Sequence, residues 1–318
     1  MSTQTRIALV LGATGGVGGE TAAALARHGW TVRALTRDPE AARAKRPDRV
    51  WIAGDALDRE AVVAAAKGAS IIVHAVNPPG YRDWDRLVLP MIDNTIAAAK
   101  ASGARVLLPG TIYNYGPDAF PLLREDLPQR PTTRKGAIRV EMERRLSAAC
   151  ADDVRVLIVR AGDFFGPRPG NNWFSQGLVT PGKPVRSIAY PGKTGVGHAW
   201  AYLPDVAETF ARLADIEGEL EPFARYHFGG HWDADGTRMT GAIRRAVPGR
   251  PNVSPMSWPL MALIAPFNAT LRELMEMKPL WRRSIRLDNT RLVARLGAEP
   301  HTPLDEAVTA SLEALGCL

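Results

Sequence analysis

Residues 7–20 read IALVLGATGGVGGE, and the fold turns on how that run is assembled. Ile7, Ala8, Leu9, Val10 and Leu11 form an apolar run of the length of a buried strand. The run stops at Gly12, and Gly15, Gly16, Gly18 and Gly19 follow. ETAAALARHG comes next, an alanine-rich stretch that predicts a helix with Gly29 as its terminator. Strand, glycine turn and helix together set a helix N-terminus against a phosphate. The glycines let the backbone turn tightly and approach a pyrophosphate, while free N–H groups and the helix dipole supply the positive end. An ordinary strand-to-helix turn is the plainer reading. The position after an N-terminal strand, with a helix behind and a second fitting unit, favours dinucleotide binding. Gly12, Thr14, Gly15, Gly16, Val17 and Gly18 are then the loop's candidate cofactor contacts.

Composition narrows the class. A chain of 318 residues can bury a large core and is expected to carry more than one lobe. No apolar run approaches the roughly 20 residues of a membrane span. The opening MSTQTR enters a strand without the apolar core of a signal peptide. Cys150 and Cys317 offer no disulfide framework, zinc spacing or CxxC, so a cytoplasmic location is the expectation. The formal charge of +7 raises nucleic acid as a partner. The basic residues are spread over the chain instead of gathered in one tract, which argues against it; an anionic cofactor accounts for part of the excess. No metal-ligand cluster, Ser-His-Asp arrangement or Walker lysine appears, and no metal is expected.

The glycine spacing, Gly12-x-x-Gly15-x-x-Gly18, differs from the G-x-G-x-x-G dinucleotide fingerprint. It resembles the TGxxGxxG loop of extended and atypical short-chain dehydrogenases/reductases, the superfamily containing sugar-nucleotide epimerases and dehydratases. The resemblance implies a doubly wound parallel α/β sheet of the Rossmann type with a smaller C-terminal substrate lobe. Its expected division is a cofactor domain over residues 1–168, rejoined by 198–230, with the lobe formed by 169–197 and 231–318.

Thr31–Thr36 reads as the second strand. An acidic residue near its end would bond a ribose 2′-hydroxyl, but Thr36 stands there and Arg37 follows. A guanidinium suits a 2′-phosphate, which favours NADP over NAD, and Arg33 is a second candidate. Asp38-Pro39-Glu40 reads as an N-cap, an N1 proline and a first-turn acid. Residues 49–53 form the third strand, running into Gly54-Asp55-Ala56-Leu57-Asp58. This resembles the family's GDxxD stretch, so Asp55 and Ala56 are expected beside the adenine, while Asp58 caps the next helix. Residues 70–76 are a fourth strand, nearly all apolar as in a sheet covered on both faces, ending at Asn77, Pro78, Pro79 and Gly80, the loop expected under the cofactor ribose. His74 inside it reads as a satisfied core histidine. A long helix over 85–102 and a fifth strand over 105–108 follow.

Thr111-Ile112-Tyr113-Asn114-Tyr115-Gly116 resembles the family's SSxxVYG segment, with Thr111 in place of the catalytic serine. The resemblance gives the Thr111 hydroxyl to the substrate oxygen and makes Tyr113 and Tyr115 substrate contacts or proton donors. The next motif, YxxxK, is not matched. In Lys135-Gly136-Ala137-Ile138-Arg139, Lys135 stands for the tyrosine and Arg139 for the lysine; the other register puts Pro131 at the tyrosine. Two readings survive. Lys135 acts as acid/base, as a lysine does in isoflavone-reductase-like relatives, with Arg139 holding ribose or phosphate. Alternatively the chemistry is lost and the chain is an NADP-sensing regulator. A solvated basic helix face is the plain third reading.

Residues 154–160 form a sixth strand leading into AGDFFGPRPG, which resembles the RxxxvyGPr segment at the exit to the substrate lobe. Phe164, Phe165 and Arg168 are expected to border the pocket, with Asn171, Asn172 and Trp173 beyond. His198 and Trp200, candidates to face the pocket, lie in a stretch resembling h-x-x-x-V-x-D-V-A, whose Asp205 should cap the following helix. Residues 225–229 read as a seventh strand. Asp288-Asn289-Thr290, Leu296-Gly297 and Thr302-Pro303-Leu304 resemble the tail of sugar-nucleotide epimerases and are expected to pack the small lobe. Arg282, Arg283 and Arg286 could meet a substrate diphosphate or form a solvated cluster. The expected function is hydride transfer between NADP(H) and a carbonyl or alcohol carbon of a small molecule. The lobe and tail favour an enzyme over a sensor, and relatives of this kind are often homodimers.

Overall fold

The computed structural model describes residues 6–78, 83–168, 170 and 172–318. Pro79, Gly80 and Asn171 lie outside them. The chain begins β1 (Ile7–Leu11), α1 (Gly16–Arg27), β2 (Thr31–Thr36), α2 (Pro39–Lys45), β3 (Val50–Ala53), α3 (Arg59–Ala65), β4 (Ile71–His74), α4 (Trp84–Ser102) and β5 (Arg105–Gly110). It continues through β6 (Leu122–Leu123), α5 (Arg134–Ala149), β7 (Val156–Arg160), β8 (Asp163–Phe165), β9 (Ser187–Tyr190), β10 (His198–Tyr202), α6 (Leu203–Asp215) and β11 (Phe223–His227). The last part holds β12 (His231–Asp233), α7 (Arg238–Ala246), β13 (Asn252–Pro255), α8 (Trp258–Ile264), α9 (Ala269–Met275), β14 (Arg286–Leu287), α10 (Thr290–Leu296) and α11 (Leu304–Ala314).

Seven strands make one parallel sheet in the order β11-β7-β5-β4-β1-β2-β3. Each was expected as a strand, and each forms within a few residues of its expected bounds. Period-two alternation splits β1 between two cores: Ala8 and Val10 face one, Leu9 and Leu11 the other. On the first face α1 and α6 pack through Ala22, Leu25, Val206 and Phe210. On the second, α3, α4 and α5 contribute Val62, Ile92 and Leu146. The strand order reverses between β1 and β4, which opens a crevice at their carboxyl ends.

A separate core, holding Phe165, Phe174, Ile188, Trp200, Met239, Trp281 and Leu312, builds the smaller lobe beside those strand ends. Two tail motifs behave differently from expectation. Leu292 of α10 joins the core of the main sheet instead of the lobe. Asp205 does not cap α6; its carboxylate accepts from the Thr302 amide at 2.7 Å and the Thr302 hydroxyl at 2.8 Å, tying the Thr302-Pro303 turn to the helix start. Asp38 and Asp58 do cap α2 and α3, accepting from Ala41 N and Ala61 N.

A very close backbone approach lies under the glycine loop. A Cβ on Gly18 would stand 2.3 Å from the Gly12 carbonyl oxygen and 3.1 Å from Ala75 Cβ. Gly18→Ala is therefore expected to lower stability by about 1–3 kcal/mol, as overpacking does. Gly218→Ala, where a Cβ meets nothing within 4 Å, serves as the near-neutral control. Urea unfolding midpoints of the two variants check this; equal midpoints would overturn it.

Candidate active site

The glycine loop builds one end of the site. Gly12 has φ +86°, open to glycine without strain, and a Cβ there would lie 2.5 Å from the Ala75 carbonyl oxygen. The loop therefore lies flat against the end of β4. Gly15 stands at the N-cap of α1 with no side-chain cap, and the first turn of α1 carries no acid. The helix presents bare amides and a positive dipole end, an anion site by construction. A cleft of about 570 Å³ starts there and crosses the carboxyl ends of the sheet. The dinucleotide expected from the sequence fits this cradle: Gly12, Thr14, Gly15, Gly16, Val17, Arg37, Asp55, Ala56, Asn77 and Arg139 all line it. Gly18 does not; it lies beneath, where it sets the helix close to the strand.

Arg37 is exposed on the cleft edge just beyond Thr36, with no ion-pair partner among the described residues. Arg33 is committed elsewhere, donating to the Lys67 carbonyl at 2.7 Å. Asp55 accepts from the Leu57 amide at 3.0 Å, which holds its carboxylate in the turn after β3. Arg139 reaches the cleft from α5 with its guanidinium 5.0 Å from the Trp84 ring centre. His74 also lines the cleft, yet its ring is satisfied as a core histidine would be. Thr95 Oγ1 gives its hydrogen to Met91 O at 3.1 Å, so it accepts from His74 Nδ1 at 2.7 Å. Burial, reinforced by the Arg139 charge, lowers this imidazole's pKa to about 3 and keeps it neutral.

At the other end stand Thr111, Tyr113, Asp163, Phe164, Asn172 and Trp173. Thr111 follows Gly110, and Gly110 pairs with Arg160, so the ends of β5 and β7 arrive side by side. The Thr111 hydroxyl donates to Asn114 Oδ1 at 3.0 Å. Asn114 in turn donates to Glu143 at 2.9 Å and Gln129 at 3.0 Å. Arg160, 1% exposed, donates to both oxygens of Glu143 at 2.8 and 2.9 Å and to the Thr111 carbonyl. A buried ion pair, with Arg160 Nη2 shared between the two Glu143 oxygens, thus fixes the threonine's backbone and side chain together. Glu143 and Arg160 were not among the expected site residues, although Arg160 opens the stretch resembling RxxxvyGPr and Glu143 aligns with the glutamate of the family's longer YGxSKxxxE segment.

Besides Gly18, four expected site residues lie outside this cleft. Lys135 is fully buried, and its ammonium is held by Glu273 and, at 2.6 Å, by Glu276, which fastens α5 to the α9 segment. Tyr115 is buried against Leu123 and Leu287 with Arg160 over its ring at 5.1 Å, because the short turn over Ile112–Asn114 sends Tyr113 outward and Tyr115 inward; burial raises its pKa. Trp200 shares one face of β10 with His198 and Tyr202, and that face belongs to the lobe core. Arg168 pairs with Glu20 at 2.7 Å, lying over Gly19 where the missing side chain leaves room. Phe165 is likewise buried in the lobe, while Phe164 stays in the cleft. Arg282, Arg283 and Arg286 are exposed and do not line the cleft.

Known proteins agree with this architecture. The family model described as NAD dependent epimerase/dehydratase family matches residues 8–222, and the chain belongs to that family. A curated relative from Streptomyces sp., 3-diazoavenalumate denitrifying reductase, is 35% identical over 183 residues, 51% of this chain and 57% of that one. The chain thus spans little more than half of that relative's length. MoeE5 in complex with UDP-glucose and NAD has a TM-score of 0.72 at 20% identity, covering 96% of this chain and 97% of that one. UDP-glucose 4-epimerase from Bifidobacterium longum, in complex with NAD+ and UDP, has a TM-score of 0.71 at 15% identity and 97% coverage of both. At such identities these two speak for the fold. No helix among the described residues is long and apolar enough to cross a membrane.

If the buried lysine serves the structure, Lys135→Met strands two carboxylates. The expected cost is about 3 kcal/mol, the low end for a broken buried pair because both glutamates keep some solvent contact. NADPH affinity should be little changed. A stable Lys135→Met protein that binds NADPH normally but has lost all turnover would return the lysine to the chemistry.

Proposed function

We propose that this member of the NAD dependent epimerase/dehydratase family is an NADP(H)-dependent reductase of a small molecule. The observation that carries the reading is the continuity of one cleft, from the bare start of α1 past Arg37 and Asp55 to Thr111 and Tyr113. The α1 amides would hold the pyrophosphate, and Arg37 a 2′-phosphate through charge-assisted hydrogen bonds. Asp55 and Ala56 would border the adenine, Asn77 the ribose and Arg139 the nicotinamide half. Bound there, the cofactor supplies a hydride donor or acceptor.

The chain's own part is orientation and proton handling. Thr111, its backbone held by Arg160, would turn its hydroxyl hydrogen from Asn114 Oδ1 to the substrate oxygen. Tyr113, in the cleft one turn beyond, is the phenol placed to give or take the proton. Phe164 and Trp173 would exclude water from the reacting carbon. A second reading, an NADP-sensing protein, is favoured by one observation: the residue standing for the usual tyrosine, Lys135, is tied to two glutamates.

Calorimetric titration tests the cofactor assignment. NADPH should bind more tightly than NADH, and Arg37→Ala should remove about 1.5–3 kcal/mol of that preference, as loss of a charged hydrogen bond does. Equal affinities in the parent protein would end the 2′-phosphate argument. Turnover is read as NADPH oxidation against aldehydes, ketones, enones, nucleotide sugars and a diazo compound of the Streptomyces relative's kind. Thr111→Ala should cut it about 10²-fold or more with NADPH affinity kept. Tight NADPH binding without oxidation across the panel would favour the sensor.

A further inference from the structure

The substrate end of the cleft carries an acid that the oxidoreductase reading leaves unused. Asp163 begins β8, three residues beyond Arg160, so it stands at the strand ends beside Thr111. It lines the cleft with its side chain 14% exposed. His198 approaches Asp163 Oδ2 through Nε2 at 2.7 Å. The imidazole is itself immobilised, stacked on the Trp281 ring with centroids 3.8 Å apart and planes within 5°. No hydrogen bond reaches Asp163 Oδ1 from the described residues. A carboxylate accepts along four lone-pair directions, so it retains capacity toward the cleft.

The surrounding charge points the same way. Among the described residues lining the cleft, the only arginines or lysines are Arg37, at the end of β2, and Arg139, beside Trp84 and His74. None stands with Thr111 and Asp163. The exposed Arg282, Arg283 and Arg286 do not supply one. A nucleoside diphosphate sugar brings two negative phosphates to the substrate end, and here, among the described residues, they would meet a carboxylate already paired with His198 and no cleft-lining arginine or lysine beside it. The neutral groups there are aromatic: Tyr113, Phe164 and Trp173, the last braced edge-on by Trp258 and Trp281 at 6.0 and 5.4 Å. Aromatic faces beside a carboxylate suit a planar cation.

We propose that Asp163, held in place by His198, determines specificity at the substrate end, selecting a small aromatic molecule with a cationic or N–H-donating substituent over a nucleotide sugar. This rests on the reading that the other half of the cleft holds NADP(H).

The test is calorimetry on NADP+-saturated protein with three probes: benzamidinium, benzoate and UDP-glucose. Benzamidinium should bind at least about tenfold more tightly than either anion, the scale of one charged hydrogen bond. Asp163→Asn, which keeps the side-chain shape, should remove that preference. UDP-glucose binding as tightly as benzamidinium, no binding of benzamidinium, or a preference that survives in Asp163→Asn would each overturn the proposal. Should the variant fail to fold, the order of the three probes on the parent protein decides alone. Titration with NADP+ beforehand separates the two ideas: no NADP+ binding removes the cofactor reading, whereas normal NADP+ binding without the probe order removes only the Asp163 assignment.

Discussion

The closeness of one helix to one sheet governs this molecule. At Gly12 and Gly18 the loop and the first turn of α1 come so near each other and the end of β4 that no Cβ fits between them. Because the approach is that close, the free amides of α1 open onto the crevice where the strand order reverses, and not onto solvent. Sheet, loop and helix are one device. The apolar runs fill both faces of the sheet, the glycines permit the contact, and an anion-binding concavity results.

At the opposite end a different constraint takes over. Arg160 and Glu143 are both buried, and burying two charges costs free energy that their attraction alone rarely recovers. Here further hydrogen bonds support the pair: Asn114 and Gln129 donate to Glu143, and the Thr111 carbonyl accepts from Arg160, although Arg160 Nε is buried without a hydrogen-bond partner among the described residues. Such a network restricts the geometry around it. It places Thr111 by clamping the chain on either side of it, which is how a small hydroxyl at the end of a strand acquires a fixed direction.

The lobe contributes walls more than charge. Phe165, Trp200 and Trp281 are packed among themselves, so the lobe reaches the cleft chiefly through Phe164, Trp173 and Asp163. The buried lysine of α5 belongs to this economy of placement. Gripped by Glu273 and Glu276, it joins the sheet's helix layer to the segment carrying α8 and α9.

What the sequence by itself determined is everything that rests on short-range pattern. Seven short segments, most of them apolar runs, named seven strands, glycine spacing named the loop, and Asp38 and Asp58 announced their caps, because period, turn and cap are local properties. That the expected loop residues line one end of the cleft was legible for the same reason: nearly all of that end comes from residues within a few positions of a strand end. The arrangement around Thr111 was decided only by tertiary structure. Whether Tyr113 or Tyr115 faces the cleft depends on one short turn, and whether Lys135 is chemical or structural depends on glutamates 138 and 141 residues away. Asp163 gains its meaning from His198, 35 residues on, and Thr111 from Arg160 and Glu143. Side-chain charge acts through space, so its partners are set by packing, which no local motif records.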